Sequence, residues 1–155
     1  MQRLKEMKHH PSLRLAMNIA NTEACRSGSE YIEPVHILLA TLNIIDDCYD
    51  QTGESMGWLP MDFLTVREAS TACRTMLTIS DEQITLVRRH LHKILTELSD
   101  PAPIRKLEFS SESMYLVQKA ARRTYHHGSE ELGLVAVFEE LLNDLPKEFA
   151  PLLRS

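Results

Sequence analysis

The sequence contains little glycine, few aromatic residues and only three cysteines. Glycine accounts for 5 of 155 residues, and aromatic side chains make up 6%. The three cysteines are scattered and show no C-x-x-C spacing, which favours reduced thiols. Residues 1–10 contain no apolar core of a secretory signal, and no apolar stretch approaches the roughly 20 residues of a membrane span. We therefore expect a soluble, cytoplasmic protein that does not enter a membrane.

Motifs of the common catalytic sites are missing as well. The five glycines cannot form the G-x-x-x-x-G-K-[ST] loop that binds phosphates, and neither G-x-S-x-G nor H-E-x-x-H occurs. Seven histidines are present, but the adjacent pairs at 9–10 and 126–127 would point about 100° apart on a helix. We expect no enzyme, no cofactor and no metal site. A histidine site assembled from separate elements is the alternative.

The net charge of −5 gives the chain no overall basic field of the kind that attracts nucleic acid or anionic lipid. Positive charge is concentrated in one cluster, Arg88, Arg89, His90, His92 and Lys93. On a helix, Arg88 and His92 share one face, while Arg89 and Lys93 lie on the next. We interpret the cluster as a solvated helix face and expect no nucleic acid. A nucleic-acid-binding regulator is the alternative, and docking of an acidic adaptor is a third reading.

Helix formers such as leucine, alanine, methionine, glutamate and arginine are abundant, which predicts an all-α protein. Pro11 suits the first turn of a helix that ends at the Ser-Gly-Ser sequence 27–29. Pro34 begins a second helix that is apolar nearly all round, which indicates a central, buried position. His36 lies in this apolar helix, and we interpret it as a core residue that pins the loop between the helices.

Further helices are predicted downstream of a polar loop at Asp46–Gly57. One lies near 61–77. The capping-box pair of Ser80 and Gln83 then precedes an amphipathic helix at about 81–98, and the Asp-Pro-Ala-Pro sequence at 100–103 breaks the chain.

A shift of 100 residues places 112–142 on 12–42. Six identities result, where roughly two are expected from average residue usage: Ala20, Gly28, Ser29, Glu30, Val35 and Leu42 meet Ala120, Gly128, Ser129, Glu130, Val135 and Leu142. We predict one domain, 1–155, made of two pseudo-symmetric helical repeats with about four helices each, or one fewer in the second. Repeat one covers about 11–77, the inserted helix and linker 78–106, and repeat two 107–155. Two unrelated hairpins that share a Gly-Ser-Glu turn are the alternative.

The first repeat carries a recognisable motif. The residues at 12–20, followed by Gly28-x-x-Tyr31-Ile32-Glu33-Pro34-Val35-His36-Ile37-Leu38-Leu39-Ala40-Thr41-Leu42, resemble the Clp repeat. That repeat occurs in pairs in the N-terminal domains of Clp-type AAA+ unfoldases. The second copy, which ends at 134–142, is degenerate in a way similar to ClpA-type domains. The resemblance covers most of the chain.

The resemblance implies a non-catalytic domain that binds substrate peptides or adaptor proteins for an AAA+ ATPase ring in the same or another chain. It places the binding region at the starts of the two partner helices, at Tyr31, Glu33, Val35, His36, Glu131 and Val135. Where the family has an acidic residue before the histidine, this chain has Val35 and Val135, so the resemblance does not extend to phosphoarginine binding. A stand-alone Clp-repeat adaptor and a secretion-associated ClpV-type domain are the alternatives within the family.

Overall fold

The computed structural model describes residues 7–47, 60–97, 100, 102–145 and 147–153. Helices dominate this part of the chain, which confirms the predicted all-α class. The α-helices are α1 (Pro11–Arg26), α2 (Pro34–Ile45), α3 (Pro60–Thr75), α4 (Asp81–Glu97), α5 (Ser111–His126) and α6 (Leu134–Asn143), and a 3-10 helix spans Ala150–Leu153. The strands have two residues each and are β1 (Lys8–His9), β2 (Tyr31–Ile32), β3 (Glu108–Phe109) and β4 (Glu131–Leu132).

Local sequence explains where most helices begin and end. Ahead of α1, the His10 side chain accepts a hydrogen bond from the backbone N–H of Ser12 at 3.1 Å. The predicted capping box before α4 is formed, since Gln83 N donates to Ser80 Oγ at 3.2 Å and Ser80 N donates to Gln83 Oε1 at 3.0 Å. After α5, Gly128 adopts a φ of +88°, which favours glycine because it has no Cβ.

The helices recur at the predicted interval. α1 and α5 begin at residues 11 and 111 and end at 26 and 126, and α2 and α6 begin at 34 and 134. This is the spacing that the proposed duplication requires; the duplication itself stays a prediction.

The described residues show fewer helices per repeat than the predicted four. Three α-helices lie within 11–77, and two α-helices and the 3-10 helix lie within 107–153. Pro146 comes three residues after the end of α6, and the residue before a proline disfavours helical backbone, which is consistent with the end of α6 at Asn143. The predicted loop at Asp46–Gly57 lies mostly outside the described residues.

The strands cross between the two halves of the chain. β1 pairs in parallel with β4, with Lys8 opposite Glu131, and β2 pairs in parallel with β3, with Tyr31 opposite Glu108. The segment ahead of each first helix therefore pairs with the helix-connecting loop of the other half. Each helical hairpin is completed by an extended segment from elsewhere in the chain.

The core lies between the hairpins α1–α2 and α5–α6, with α2 at its centre. Residues 36–44 of α2 are all buried, as its apolar sequence predicts, and α2 contacts every other α-helix. Ala16, Ala20 and Ala24 of α1 are fully buried, and this ridge of small side chains lets α1 approach α2 closely.

The predicted insertion, α4, is joined to the core by one apolar stripe. Ile84, Val87 and Leu91 are buried, and α4 contacts α2 and the 3-10 helix. Ile94 and Leu95 lie three and four residues after Leu91, so either of them could continue the stripe. Leu95 is partly buried against the core, whereas Ile94 is 42% exposed, so the stripe continues through Leu95.

Candidate functional site

The loop between α1 and α2 is fixed by one buried histidine. His36 is 2% exposed, and its Nδ1 accepts a hydrogen bond from the backbone N–H of Glu33 at 2.8 Å. Its Nε2 lies 3.1 Å from Ser27 Oγ, at the end of α1. Burial lowers the pKa of His36 to about 4, so the ring is neutral at pH 7. Because both ring nitrogens are engaged inside the fold, His36 supports the loop and is not available to a partner.

The other predicted binding residues lie near the surface of the two loops. Tyr31 is 50% exposed, and Glu131 is exposed on β4. Glu33, Val35 and Val135 are half-buried, with both valines packed against the core. The crossed strands bring Tyr31 beside β3 and Glu131 beside β1, so each predicted loop lies next to a segment from the other half.

A pocket opens beside the first of these loops. It has a volume of about 580 Å³ and is lined by Pro34, the first residue of α2, and by side chains of α5 and α6 that include Tyr115, Lys119 and Glu140. Glu140 is 4% exposed, and its carboxylate lies 3.0 Å from Arg123 Nη1 and 3.6 Å from Lys119 Nζ. The buried charge is therefore compensated within the protein.

A second feature, which we did not predict from the sequence, is the path of the linker at 102–107 along α1. The Asn21 side chain holds it from one side, since Nδ2 donates to the carbonyl of Arg105 at 2.8 Å and Oδ1 accepts from the N–H of Leu107 at 2.7 Å. Cys25 Sγ also donates to the Arg105 carbonyl at 3.3 Å, and Ala102 N donates to Cys25 O at 3.0 Å. A polar residue at the position of Asn21 is a weak sequence signal, because asparagine is common on exposed helix faces.

Between this linker and α1 lies an open depression of about 710 Å³, which we call the linker groove. Its cationic residues are Arg14, Arg105 and Lys106, and its apolar residues include Met17, Ile104 and Leu107. Among the residues that the structure describes, no aspartate or glutamate lines it. His9 also borders the groove, and burial together with the adjacent Arg14 guanidinium lowers the pKa of its ring.

The basic cluster on α4 is largely neutralised by carboxylates. Arg88 Nε lies 2.7 Å from Asp46 Oδ2, and His92 Nδ1 lies 2.9 Å from Glu23 Oε2. Lys93 lies 3.7 Å from Glu97. Arg89 and His90 are exposed. The predicted solvated face is therefore partly an interface, in which α4 is tied to α1 and to the end of α2.

The described residues place no group of three or more His, Cys, Asp or Glu side chains where they could hold a metal ion. Within the same part of the chain, no helix combines the length and apolar character needed to cross a bilayer. The sequence matches no protein-family model, and no similar protein was found among the curated proteins or the solved structures.

Proposed function

We propose that this chain is a non-catalytic recognition domain that binds peptide segments or adaptor proteins for a Clp-type AAA+ unfoldase. The observation that carries the proposal is the crossed strand pairing. The pairing fixes each connecting loop against an extended segment of the other half and holds the exposed Tyr31 and Glu131 at these junctions, where we expect the contacts with a peptide. The motif at 28–42, which resembles the Clp repeat, supplies the connection to an unfoldase.

Two further observations support recognition over catalysis. In the Ser27–His36 pair, the hydroxyl donates to the carbonyl of Ala24 at 3.0 Å, and both side chains are buried. In the Ser12–His10 pair, Ser12 is fully buried and its Oγ accepts a hydrogen bond from the N–H of Leu134 at 3.2 Å. Neither serine is presented to a substrate as a nucleophile would be.

Within this proposal, ATP hydrolysis comes from an AAA+ ring in the same or another chain. The cytoplasm is the proposed compartment, because the buried Cys25 and Cys73 are free thiols. A stand-alone adaptor and a secretion-associated ClpV-type domain are variants of the same function. The nucleic-acid alternative has less support, since the pairs of Arg88, His92 and Lys93 with carboxylates reduce the charge available to phosphates.

The experiment is an array of immobilised decapeptides of neutral, acidic and basic composition, probed with the purified chain. We expect a subset of peptides to be bound. The double variant Tyr31→Ala/Glu131→Ala, which changes two exposed loop residues, should weaken binding by about tenfold at the best sequences, because tyrosine anchors contribute strongly to interfaces. The control variant Leu86→Ala removes an exposed side chain of α4 and should bind like wild type. Absence of binding to every peptide, together with no effect of the chain on a purified Clp-type unfoldase, would refute the function.

A further inference from the structure

The two helical hairpins show the same strand pairing at a constant interval of 100 residues. The register of β1 on β4 becomes that of β3 on β2 when 100 is added to, or subtracted from, the residue numbers. The hydrogen bond that follows each pair also matches, since the N–H of His10 donates to the carbonyl of Leu132 and the N–H of Ser110 donates to that of Ile32. Residues 100 positions apart therefore occupy matching places on the two hairpins.

One face of the first hairpin is covered by α3, which contacts α1, α2 and α6. Near the end of α2, the hydroxyl of Ser70 in α3 donates to the carbonyl of Ile44 at 3.3 Å. Asp62, near the start of α3, lines the same depression as Pro11 at the start of α1. The covered face therefore extends from the start of α1 to the end of α2. The side chains that α3 buries recur at helical spacing and are small or of medium size: Val66, Ala69 and Cys73.

The matching face of the second hairpin holds a pocket. It is the cavity of about 580 Å³ described above, which we call the α5–α6 pocket, and Pro34 at the start of α2 borders it. Ser111 and Asp144 line it, 100 positions after the two ends of the face that α3 covers. Among the residues that the structure describes, no helix fills this pocket. The α5–α6 pocket therefore lies where α3 lies on the first hairpin.

Side chains that the first hairpin buries have exposed counterparts in the second. Leu15 is fully buried, whereas Tyr115, which lines the pocket, is 56% exposed. Ile44 is 3% exposed, whereas Asp144 is exposed. The second hairpin thus presents to its surroundings a face that the first covers with a helix, and a tyrosine stands there as a side chain able to anchor a partner.

The lining of the α5–α6 pocket indicates which helix fits it. Its floor consists of apolar side chains that are buried or half-buried: Leu116, Leu141 and Leu145. Glu112 and Asp144 are exposed in its lining, and neither forms an ion pair with a residue that the structure describes. Lys147 opposes them with one positive charge, so the uncompensated charge of the lining is negative. This charge favours a basic partner.

We propose that the α5–α6 pocket binds an amphipathic helix of a partner protein. Small apolar side chains of that helix pack on the leucines of the floor, and basic side chains lie near Glu112 and Asp144. A helix fits better than an extended segment because α3 occupies the matching place on the first hairpin as a helix. The proposal goes beyond the function above, since it adds a second surface that does not involve Tyr31 or Glu131.

The test uses fluorescein-labelled helical peptides designed on residues 60–77. They keep the buried positions of α3, with alanine in place of Cys73, and carry Lys, Gln or Glu at the same exposed positions. Fluorescence anisotropy measures their affinity for the wild-type chain at low ionic strength. We expect the Lys peptide to bind about tenfold more tightly than the Glu peptide. A scrambled Lys peptide of equal composition, in which the helical spacing of the apolar residues is lost, should bind at least about tenfold more weakly than the ordered one.

Two pairs of variants locate the site. Tyr115→Ala should weaken binding of the Lys peptide by about tenfold. Its matched control, Met114→Ala, removes a 42% exposed side chain of the same helix that does not line the pocket, and it should stay within about twofold of wild type.

Glu112→Lys/Asp144→Lys should reverse the preference between the Lys and Glu peptides. Glu68→Lys/Glu82→Lys changes the net charge equally at exposed positions on α3 and α4 and should keep the preference. Circular dichroism and urea midpoints report whether each variant folds. If the double reversal does not fold, Glu112→Gln provides the same comparison with one charge removed.

The outcomes separate this proposal from the function proposed above. Equal effects of Tyr115→Ala and Met114→Ala would overturn the assignment to the pocket, as would equal affinities of the ordered and scrambled peptides. A loss in Tyr31→Ala/Glu131→Ala as large as that in Tyr115→Ala would place the helix at the loops and overturn it as well. If sedimentation shows a dimer of the wild-type chain that Tyr115→Ala abolishes, a second copy fills the pocket and the proposal of a partner helix is wrong. None of these results alters what the peptide array shows about the loops.

Discussion

The hydrogen bonds of His36 determine which tautomer the ring adopts and how stability responds to acid. The N–H of Glu33 can only donate, so Nδ1 carries no proton, and the Ser27 hydroxyl is donated to the carbonyl of Ala24. His36 Nε2–H must therefore donate to Ser27 Oγ. A second proton would have to reside on Nδ1, where it would face the N–H of Glu33. The geometry and the buried position both oppose the charged ring.

The size of the effect follows from the pKa. The folded-state pKa of His36 is about 4, against an ordinary value of 6.5 in the unfolded chain. As the pH falls below 6.5, the unfolded state takes up a proton that the native state does not, so the free energy of unfolding decreases. The decrease ends near pH 4 and amounts to about 3 kcal/mol, since one pKa unit corresponds to about 1.4 kcal/mol. Above pH 6.5, this residue adds no pH dependence.

Urea denaturation of wild type and His36→Gln between pH 7.5 and 4 isolates this contribution. Glutamine cannot satisfy both partners, so we expect a loss of about 1–3 kcal/mol at pH 7. The stability of wild type relative to His36→Gln should fall by about 3 kcal/mol as the pH falls to 4, so the difference should vanish or change sign, because only wild type carries the proton linkage. His90→Gln, which removes an exposed imidazole from α4, is the control and should follow wild type. A constant difference across the pH range, or an NMR titration of the His36 ring near 6.5, would refute the reasoning.

Two further predictions concern the contacts that hold α1 and α4 to the rest of the fold. Asn21→Ala removes two hydrogen bonds to the linker, so the unfolding free energy should fall by about 1–2 kcal/mol. The backbone amide of Leu107 should also exchange faster with solvent. Unchanged exchange at Leu107 would show that Asn21 does not hold the linker. Arg88→Ala leaves the carboxylate of Asp46 partly buried without its cation and should cost about 2 kcal/mol, whereas Lys93→Ala breaks an exposed pair and should cost less than about 0.5 kcal/mol. Urea denaturation measures the unfolding free energies of these variants. Equal losses for Arg88→Ala and Lys93→Ala would contradict the assignment of a partly buried and an exposed ion pair.

The starts and ends of most helices could be predicted from sequence because their signals are local. Pro11, Pro34 and the Ser80–Gln83 capping box each act within one helical turn. The predicted helices near 61–77 and 81–98 differ from α3 and α4 by no more than two residues at either end, which is the range over which helix ends fray.

The ion pairs of the basic cluster could not be predicted in the same way. Arg88 and its partner Asp46 are 42 residues apart, and His92 is 69 residues from Glu23. Charges that share a helix face can be recognised from their spacing, but a partner on another helix depends on how the helices pack. The sequence therefore suggests a solvated face where the structure has several interhelical contacts.

The linker groove could not be predicted from sequence patterns either. The strands that contribute residues to its lining, β1, β2 and β3, have two residues each. They are too short for the alternating pattern that identifies a strand. Their pairing joins Tyr31 to Glu108 and Lys8 to Glu131, across most of the chain. Because β3 pairs with the loop of the first half and β1 with the loop of the second, neither hairpin has its own segment beside it. The groove between α1 and the linker is therefore a property of the whole domain and forms only when both halves are folded together.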